Sequence, residues 1–226
     1  MLRIWLELCS GHGVTEVLIN THHLSEEVEK YFRAKSAPFV SREHAADRPF
    51  TFDFGGLRVT LSYEPVLLGS AGTLLFNRGF VEGERDFFIL YADNLTNVNL
   101  TQLMNFHRSH GDLLTMGLFL TDKPGSCGIA ELDENGRIMS FEEKPNNPKT
   151  NLAAAGVYIA SPSIFEFFPA GPGLEKGEFT AIDLGFHIFP RLVGRMYGYL
   201  IHEYLLDIGD FDSYGKAQKN WARETP

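Results

Sequence analysis

The stretch that most limits what this chain can fold into is DFFILYADNLTN, residues 86–97. Phe87, Phe88, Ile89, Leu90 and Tyr91 form an unbroken apolar run. It is too short for a free-standing helix and reads as a strand buried on both faces. The run stops abruptly at Ala92-Asp93-Asn94, a small residue followed by a carboxylate. In an open α/β sheet, ligands gather beyond the carboxyl ends of the strands. An aspartate placed there can hold a hard cation such as Mg²⁺ and, through it, a phosphate. The plainer alternative is an Asx turn that closes the strand.

The size and charge of the chain narrow the partners. Its 226 residues, 44% of them apolar, suit one large domain, taken here as residues 1–226. Acids outnumber Lys and Arg by 29 to 20, giving a formal charge of −9. With no run of basic residues either, nucleic acid is not an expected partner. No apolar run approaches bilayer length, and MLRIWLELCSGHG lacks the layout of a secretory signal, so no membrane is expected. Cys9 and Cys127 show no metal-type spacing and fit a reducing cytoplasm.

Periodicity gives a helix-strand-helix start. Leu2, Trp5, Leu6 and Cys9 make a helical stripe ended by Gly11 and Gly13, residues 14–20 read as a strand, and a second helix follows Ser25. Residues 36–49 read as a loop. Residues 50–54, Gly55-Gly56 and 57–63 read as a hairpin. LLGSAGTLLF, residues 67–76, reads as a small-residue loop running into a helix, where a phosphate or planar ligand can approach backbone N–H groups. A tight loop packed for its own sake fits equally well. Beyond the central strand come a helix over 100–110, a strand over 113–120 and a hairpin turning at DENG, residues 133–136. A strand over 152–160 and a short helix over 162–168 follow. Residues 171–177 read as a mobile glycine-rich loop, and 181–192 as a helix interrupted at Pro190. YLLDIG, residues 204–209, repeats the pattern of an apolar run ending in an acid, Asp207, before a last helix over 211–223.

Two aspartates at strand ends, Asp93 and Asp207, a glycine-rich loop and the Glu143-Lys144 pair form the minimum for phosphoryl or nucleotidyl transfer. That chemistry relies on positioning and charge neutralisation. His12, His22 and His23 sit at element boundaries, where capped or solvated side chains are the simpler reading than a metal cluster.

In this order the segments GVTEVLINTHHLSEEVEKYF, EPVLLGSAGTL, FFILYADNLTNVNL, GIAELDENGRIMSFEEKPNNP, AAGVYIASPSIFEFFP and PRLVGRMYGYLIHEYLLDIGDFDSYGKAQ resemble the sugar-1-phosphate nucleotidyltransferase family. The resemblance is closest to mannose-1-phosphate guanylyltransferases. It implies a three-layer αβα Rossmann-like fold with a mixed central sheet. It implies joining a nucleoside triphosphate to a sugar 1-phosphate with release of pyrophosphate, with Mg²⁺ as cofactor. Carried over by position, Asp93, Lys144 and Asp207 are the catalytic residues, with Asp93 and Asp207 as the metal ligands. Lys144 would neutralise the sugar phosphate, and Glu143 would take sugar hydroxyls. The backbone at Gly128 and Gly156 would line the sugar pocket. Gly69, Ser70, Ala71, Gly72 and Thr73 would hold the nucleotide base.

Departures from the family pattern matter as well. The family opens with a strand and a glycine-rich loop carrying Arg and Lys-Pro; these 226 residues begin at the positions just after it. The sequence therefore predicts an N-terminally truncated domain whose first strand is missing, with little or no turnover. A vacated strand position leaves backbone groups unpaired, which predicts rearrangement or a homodimer. Cys127, Ala154, Leu205 and residues 210–213 also differ from the family, which blurs the sugar. Gly72 leaves room for a bicyclic base and favours GTP with mannose 1-phosphate over UTP or dTTP with glucose 1-phosphate. The alternative is that Gly72 serves loop geometry alone. A sugar-nucleotide-binding module without chemistry is the competing class, and a glycosyltransferase is weaker, because no Asp-x-Asp follows the central strand.

Overall fold

The computed structural model describes residues 1–35, 50–169 and 181–224. The expected loops over 36–49 and 171–177 lie outside the described residues. In chain order the elements are α1 (Leu2–Gly11), β1 (Glu16–Thr21), α2 (Ser25–Lys35), β2 (Phe50–Phe54), β3 (Leu57–Tyr63), α3 (Gly69–Phe76), β4 (Phe87–Leu90) and β5 (Asn94–Thr96). Then come α4 (Leu100–His110), β6 (Leu114–Leu120), β7 (Gly128–Leu132), β8 (Ile138–Glu143) and β9 (Leu152–Ala160). The described chain closes with β10 (Met196–Leu200), β11 (Leu205–Asp207) and α5 (Phe211–Glu224).

Side-chain alternation along β9 sets the layers. Tyr158 and Ala160 face one core with Phe87 and Ile89 of β4, Leu114, Met116 and Leu118 of β6, and Leu184, Ile188 and Leu192. Ala155, Val157 and Ile159 face the other core with Trp5, Leu6, Leu100 and Leu103. Helices α1 and α4 thus cover one face. The other is covered by α3 and the short helices that follow β9. Burial of these faces, at about 25 cal/mol per Å², is what holds the three layers together.

The sheet is mixed. β6 and β9 run antiparallel, β10 lies parallel to β6, and β4 pairs with the end of β9. β7 and β8 form the expected hairpin and reach β9 at Ala153. A separate three-stranded sheet has the order β1-β3-β2, with β1 parallel to β3. The two sheets share a core, since Val17 and Ile19 of β1 and Phe88 and Leu90 of β4 belong to one cluster. Arg58 N donates to Thr15 O and Glu64 N to Thr21 O, so odd-numbered residues of β1 face β3. Leu18 and Asn20 therefore turn their backbone groups away from it. Tyr91 N donates to Gly156 O, which likewise turns Phe88 and Leu90 away from β9. Among the described residues these two edges carry no strand partner. The two sheets are therefore not hydrogen-bonded to each other among the described residues.

The central strand departs from expectation in one respect. Phe87 and Ile89 are buried, whereas Phe88 and Leu90 are only half-buried. Residues 184–192 also differ: a π-helical turn over Leu184–Ile188 runs into a 3-10 turn over Phe189–Leu192, where one helix was expected. Pro190 cannot donate to an α-helical ladder and forces the change of pitch.

At the opposite end of the sheet from Asp93 lies a buried polar chain that the sequence did not announce. Asp112 N donates to His110 Nδ1, 3.0 Å away, so that ring nitrogen is bare and the ring neutral. His110 Nε2 and His107 Nδ1 both meet Thr115 Oγ1, at 2.7 and 2.9 Å, and His107 Nε2 faces Asp86 Oδ1 at 3.4 Å. Burial pushes both imidazoles down, His110 to about 4. A histidine depressed in the folded state binds fewer protons there than in the unfolded chain. Its contribution to stability is full above the ordinary value of 6.5 and is lost as pH falls toward 4. Thermal unfolding followed between pH 6.5 and 5 should therefore show stability falling by about 1 kcal/mol after allowance for solvent screening, or 2–4 °C. His110→Phe, which keeps the stack on Tyr197, should flatten that slope.

No helix among the described residues is long and apolar enough to cross a membrane.

Candidate functional site

Strand β4 ends one residue short of its apolar run, and the chain turns through Asp93 into β5. β5 pairs antiparallel with β11, placing Asp207 opposite Asn94. Ile208 N donates to Asp93 O at 2.9 Å, so the two aspartates are held side by side by backbone bonds. A Cβ built on Gly209 would lie 3.0 Å from Asp207 Oδ1 and 3.9 Å from Asp93 Oδ2, so both carboxylates flank one small residue. Both residues are exposed. Asp207 Oδ1 accepts from Gly209 N at 2.7 Å. Burial, and then the charge of Asp207, raise the Asp93 carboxyl above its ordinary value. A carboxylate such as Asp93, whose ionisation a neighbouring acid disfavours, marks a place where a divalent cation is welcome. Among the described residues no group of three or more His, Cys, Asp or Glu is placed to hold a metal ion, so water and phosphate oxygens would complete such a cation's shell. His12 instead meets Thr101, and His22 the carbonyl of Glu64.

The second group lies at the end of β8. Glu143 is half-buried and Lys144, exposed, adopts φ +50, with its N–H bonded to Cys127 O at 3.0 Å. Lys144 makes no ion pair among the described residues. Burial, and then Asp183, raise the Glu143 carboxyl, while Lys144 lowers it. Two glycines cradle Glu143. A Cβ on Gly128 would meet Phe141 Cζ at 2.5 Å and Glu143 Oε2 at 2.6 Å, and one on Gly185 would overlap Glu143 Oε2.

The third group is the glycine-rich stretch. Here helix α3 already begins at Gly69, so residues 69–73 are its first turns and not a loop ahead of it. Ala71 N and Gly72 N both donate to Ile182 O, at 2.9 and 3.1 Å. Ser70 Oγ donates to Asp183 Oδ2 at 2.8 Å, and Thr73 Oγ1 to Glu64 Oε1 at 2.5 Å. These donors are turned inward. The space beside Gly72 is taken by Leu68, whose Cβ would stand 2.9 Å from a Cβ at 72. Packing alone therefore disfavours a side chain at position 72.

Two further residues join the groups. Tyr91, the last of the apolar run, feels Asp183, Glu143 and Asp93, and burial drives its hydroxyl up to about 12. Asp183 was missed in the sequence; an Asp immediately before a helical turn is an N-cap candidate, and its carboxylate does accept from Gly185 N and Phe186 N. Gly156, at φ +66, has the place of its Cβ filled by Asn94 and Tyr91.

A family profile described as nucleotidyl transferase matches residues 1–224. A UTP–glucose-1-phosphate uridylyltransferase of Synechocystis is 29% identical over 96% of this chain and 54% of its own length. A mannose-1-phosphate guanylyltransferase catalytic subunit beta of Dictyostelium discoideum is 34% identical over 56% of this chain and 36% of its own length. The chain thus spans about half the length, or less, of these curated relatives. Among solved structures, a glucose-1-phosphate thymidylyltransferase of Bacillus anthracis, itself described as putative, superposes with a TM-score of 0.77 at 17% identity, over 99% of this chain and 82% of that one. HddC of Yersinia pseudotuberculosis, complexed with GMP-PN, gives 0.69 at 17% identity, over 97% and 84%. At such identity these two attest the fold.

Proposed function

This chain belongs to the nucleotidyl transferase family, and from that premise we propose that it serves transfer of a nucleotidyl group to a sugar 1-phosphate. The observation that carries the reading is the convergence of Asp93 and Asp207, from distant parts of the chain, on one side of Gly209. In this proposal they hold a Mg²⁺ ion, which supplies charge neutralisation at the phosphates when bound. Lys144, unpaired and exposed, meets the sugar phosphate. Glu143, cradled but without a hydrogen-bonding partner of its own among the described residues, accepts from sugar hydroxyls. A carboxylate raised by burial accepts such a bond well, because the ligand's hydroxyls replace lost water.

GTP with mannose 1-phosphate remains the first pair, now supported by the guanylyltransferases among the relatives rather than by Gly72. UTP with glucose 1-phosphate is favoured instead by the uridylyltransferase, which aligns with 96% of the chain. Every role assigned here to Asp93, Asp207, Lys144 and Glu143 is a contact to a bound ligand. Binding is therefore the test. In thermal unfolding with Mg²⁺, a ligand at about 100 times its Kd adds about 2.7 kcal/mol, about 5–10 °C for a chain this size. GTP and GDP-mannose should produce such a shift, and UTP and UDP-glucose a smaller one. A reversed order selects the uridylyl reading. No shift with any of the four at millimolar concentration would sink the proposal.

A further inference from the structure

One short segment touches both halves of the proposed site. Ile182 is tied to the start of α3 by three backbone bonds: its N–H donates to Leu68 O, and its carbonyl accepts from Ala71 N and Gly72 N. The contact is close enough that Gly69 can carry no side chain, since a Cβ there would sit 2.5 Å from Ile182 O. The next residue, Asp183, reaches in both directions. Its Oδ2 accepts from Ser70 Oγ of α3 at 2.8 Å, and Ser70 Oγ in turn accepts from Leu184 N at 2.8 Å. Its Oδ1 accepts from Gly185 N and Phe186 N at 2.8 and 3.2 Å, folding the chain back on itself. That fold presses Gly185 against the Glu143 carboxylate, with room for no side chain between them.

We propose that Asp183 is a positioning residue that couples the two substrate halves: it locks Gly185, and hence Glu143, to the glycine-rich start of α3. The inference rests on the reading of residues 69–73 as the nucleotide side and Glu143 as the sugar side. Asp183 need touch neither ligand. Any shift of Ser70 or Ala71 when a nucleotide settles is carried through Ile182 and Asp183 to the neighbour of Glu143. Packed, hydrogen-bonded segments transmit such shifts because they move between discrete arrangements rather than deforming continuously. Binding of one substrate then prepares the site for the other, and by linkage the effect is equal in both directions.

The test is a pair of calorimetric titrations with mannose 1-phosphate, one in the absence and one in the presence of a non-hydrolysable GTP analogue with Mg²⁺. In the unaltered chain the analogue should improve sugar-phosphate affinity by about fivefold or more. In Asp183→Ala the factor should fall below about twofold. Asp183→Asn keeps an oxygen for the Gly185 and Phe186 amides and an amide for Ser70, so it should restore most of the factor. Ser70→Ala, which removes the bridge from Asp183 to α3 and the acceptor of Leu184 N, should lower the factor in the same direction should Asp183→Ala fold poorly. A merely structural role would shift the melting temperature of these variants without touching the ratio. An unaltered ratio in both Asp183→Ala and Ser70→Ala overturns the inference, as does loss in Asp183→Asn equal to that in Asp183→Ala, which would make charge the cause. Binding of both ligands with no coupling in the unaltered chain overturns the inference and leaves the proposed function standing; binding of neither overturns both.

Discussion

Replacing Asp207 by asparagine is expected to raise the dissociation constant for Mn²⁺ or Mg²⁺ at least about tenfold, the equivalent of 1.4 kcal/mol. Asp93→Asn should do the same. The reason is geometric: the two carboxylates supply the negative charge at Gly209, and either alone leaves a single exposed acid, which holds a divalent cation poorly. Where turnover is measured, the same changes should cost about 10²–10³ in kcat, since charge neutralisation at the phosphates is the proposed task of the site. The apo protein should respond in the opposite sense. Burial and the Asp207 charge raise the Asp93 carboxyl, so removing Asp207 relieves a repulsion. The gain is small after screening, roughly 0.5 kcal/mol or 1–2 °C. Weaker cation binding together with unchanged or higher apo stability is the signature of a metal pair. Lower stability without change in cation affinity would mark the two acids as structural. The pH dependence follows from the same shift. A raised carboxyl takes up its proton above the ordinary aspartate value of 3.8, so cation affinity should weaken on acidification before an ordinary aspartate would protonate.

The placing of Asp93 and Asp207 was legible because each ends an apolar run that can only be a strand. A strand end is a coarse but reliable coordinate, and β5 against β11 then brings the two ends together. The hairpins over 50–63 and 128–143 were legible for a similar reason, as Gly55-Gly56 and DENG fix where the chain reverses. The positions of these strands and turns were therefore readable from local chemistry. What was not readable depends on which segments meet. Asp183 is an N-cap candidate, yet nothing in residues 181–185 says that Ser70 or Glu143 will lie beside it. Gly72 shows the same limit: nothing in the local sequence says that Leu68 Cβ will stand 2.9 Å from where its Cβ would be. Both depend on how neighbouring backbone and side chains pack, which local pattern does not give. The His107–Thr115–His110 chain was hidden in the same way, because a histidine in the last turn of a helix looks like an ordinary partner for the helix dipole.

Gly156 and Gly111 separate backbone cost from packing cost, and substituting each by alanine should give effects of very different size. Both sit at φ +66. Gly111 caps α4 in the left-handed region with nothing within 4 Å of where a Cβ would stand. Gly111→Ala should therefore cost only the left-handed conformation itself, about 1 kcal/mol. Gly156 lies inside β9 at the irregularity where β6 and β9 shift register between Met116 and Leu118, and its carbonyl accepts from Tyr91 N at 2.8 Å. A Cβ there would overlap Asn94 Nδ2 and stand 3.0 Å from Tyr91 Cβ. Asn94 is buried in β5, and Tyr91 ends the central run, so neither is the free end of a flexible side chain. Gly156→Ala should then lose about 3–4 kcal/mol, the sum of conformational strain and overpacking. For a chain of this length that is roughly 6–15 °C in thermal unfolding, against 2–4 °C for Gly111→Ala. The damage should also reach the acids, because Asn94 stands between Asp93 and the pairing with Asp207. Cation affinity should consequently fall in Gly156→Ala and stay unchanged in Gly111→Ala. Equal losses of stability in the two variants would mean that β9 yields enough to admit a methyl group, and that the crowding around residue 156 does not hold the site in shape.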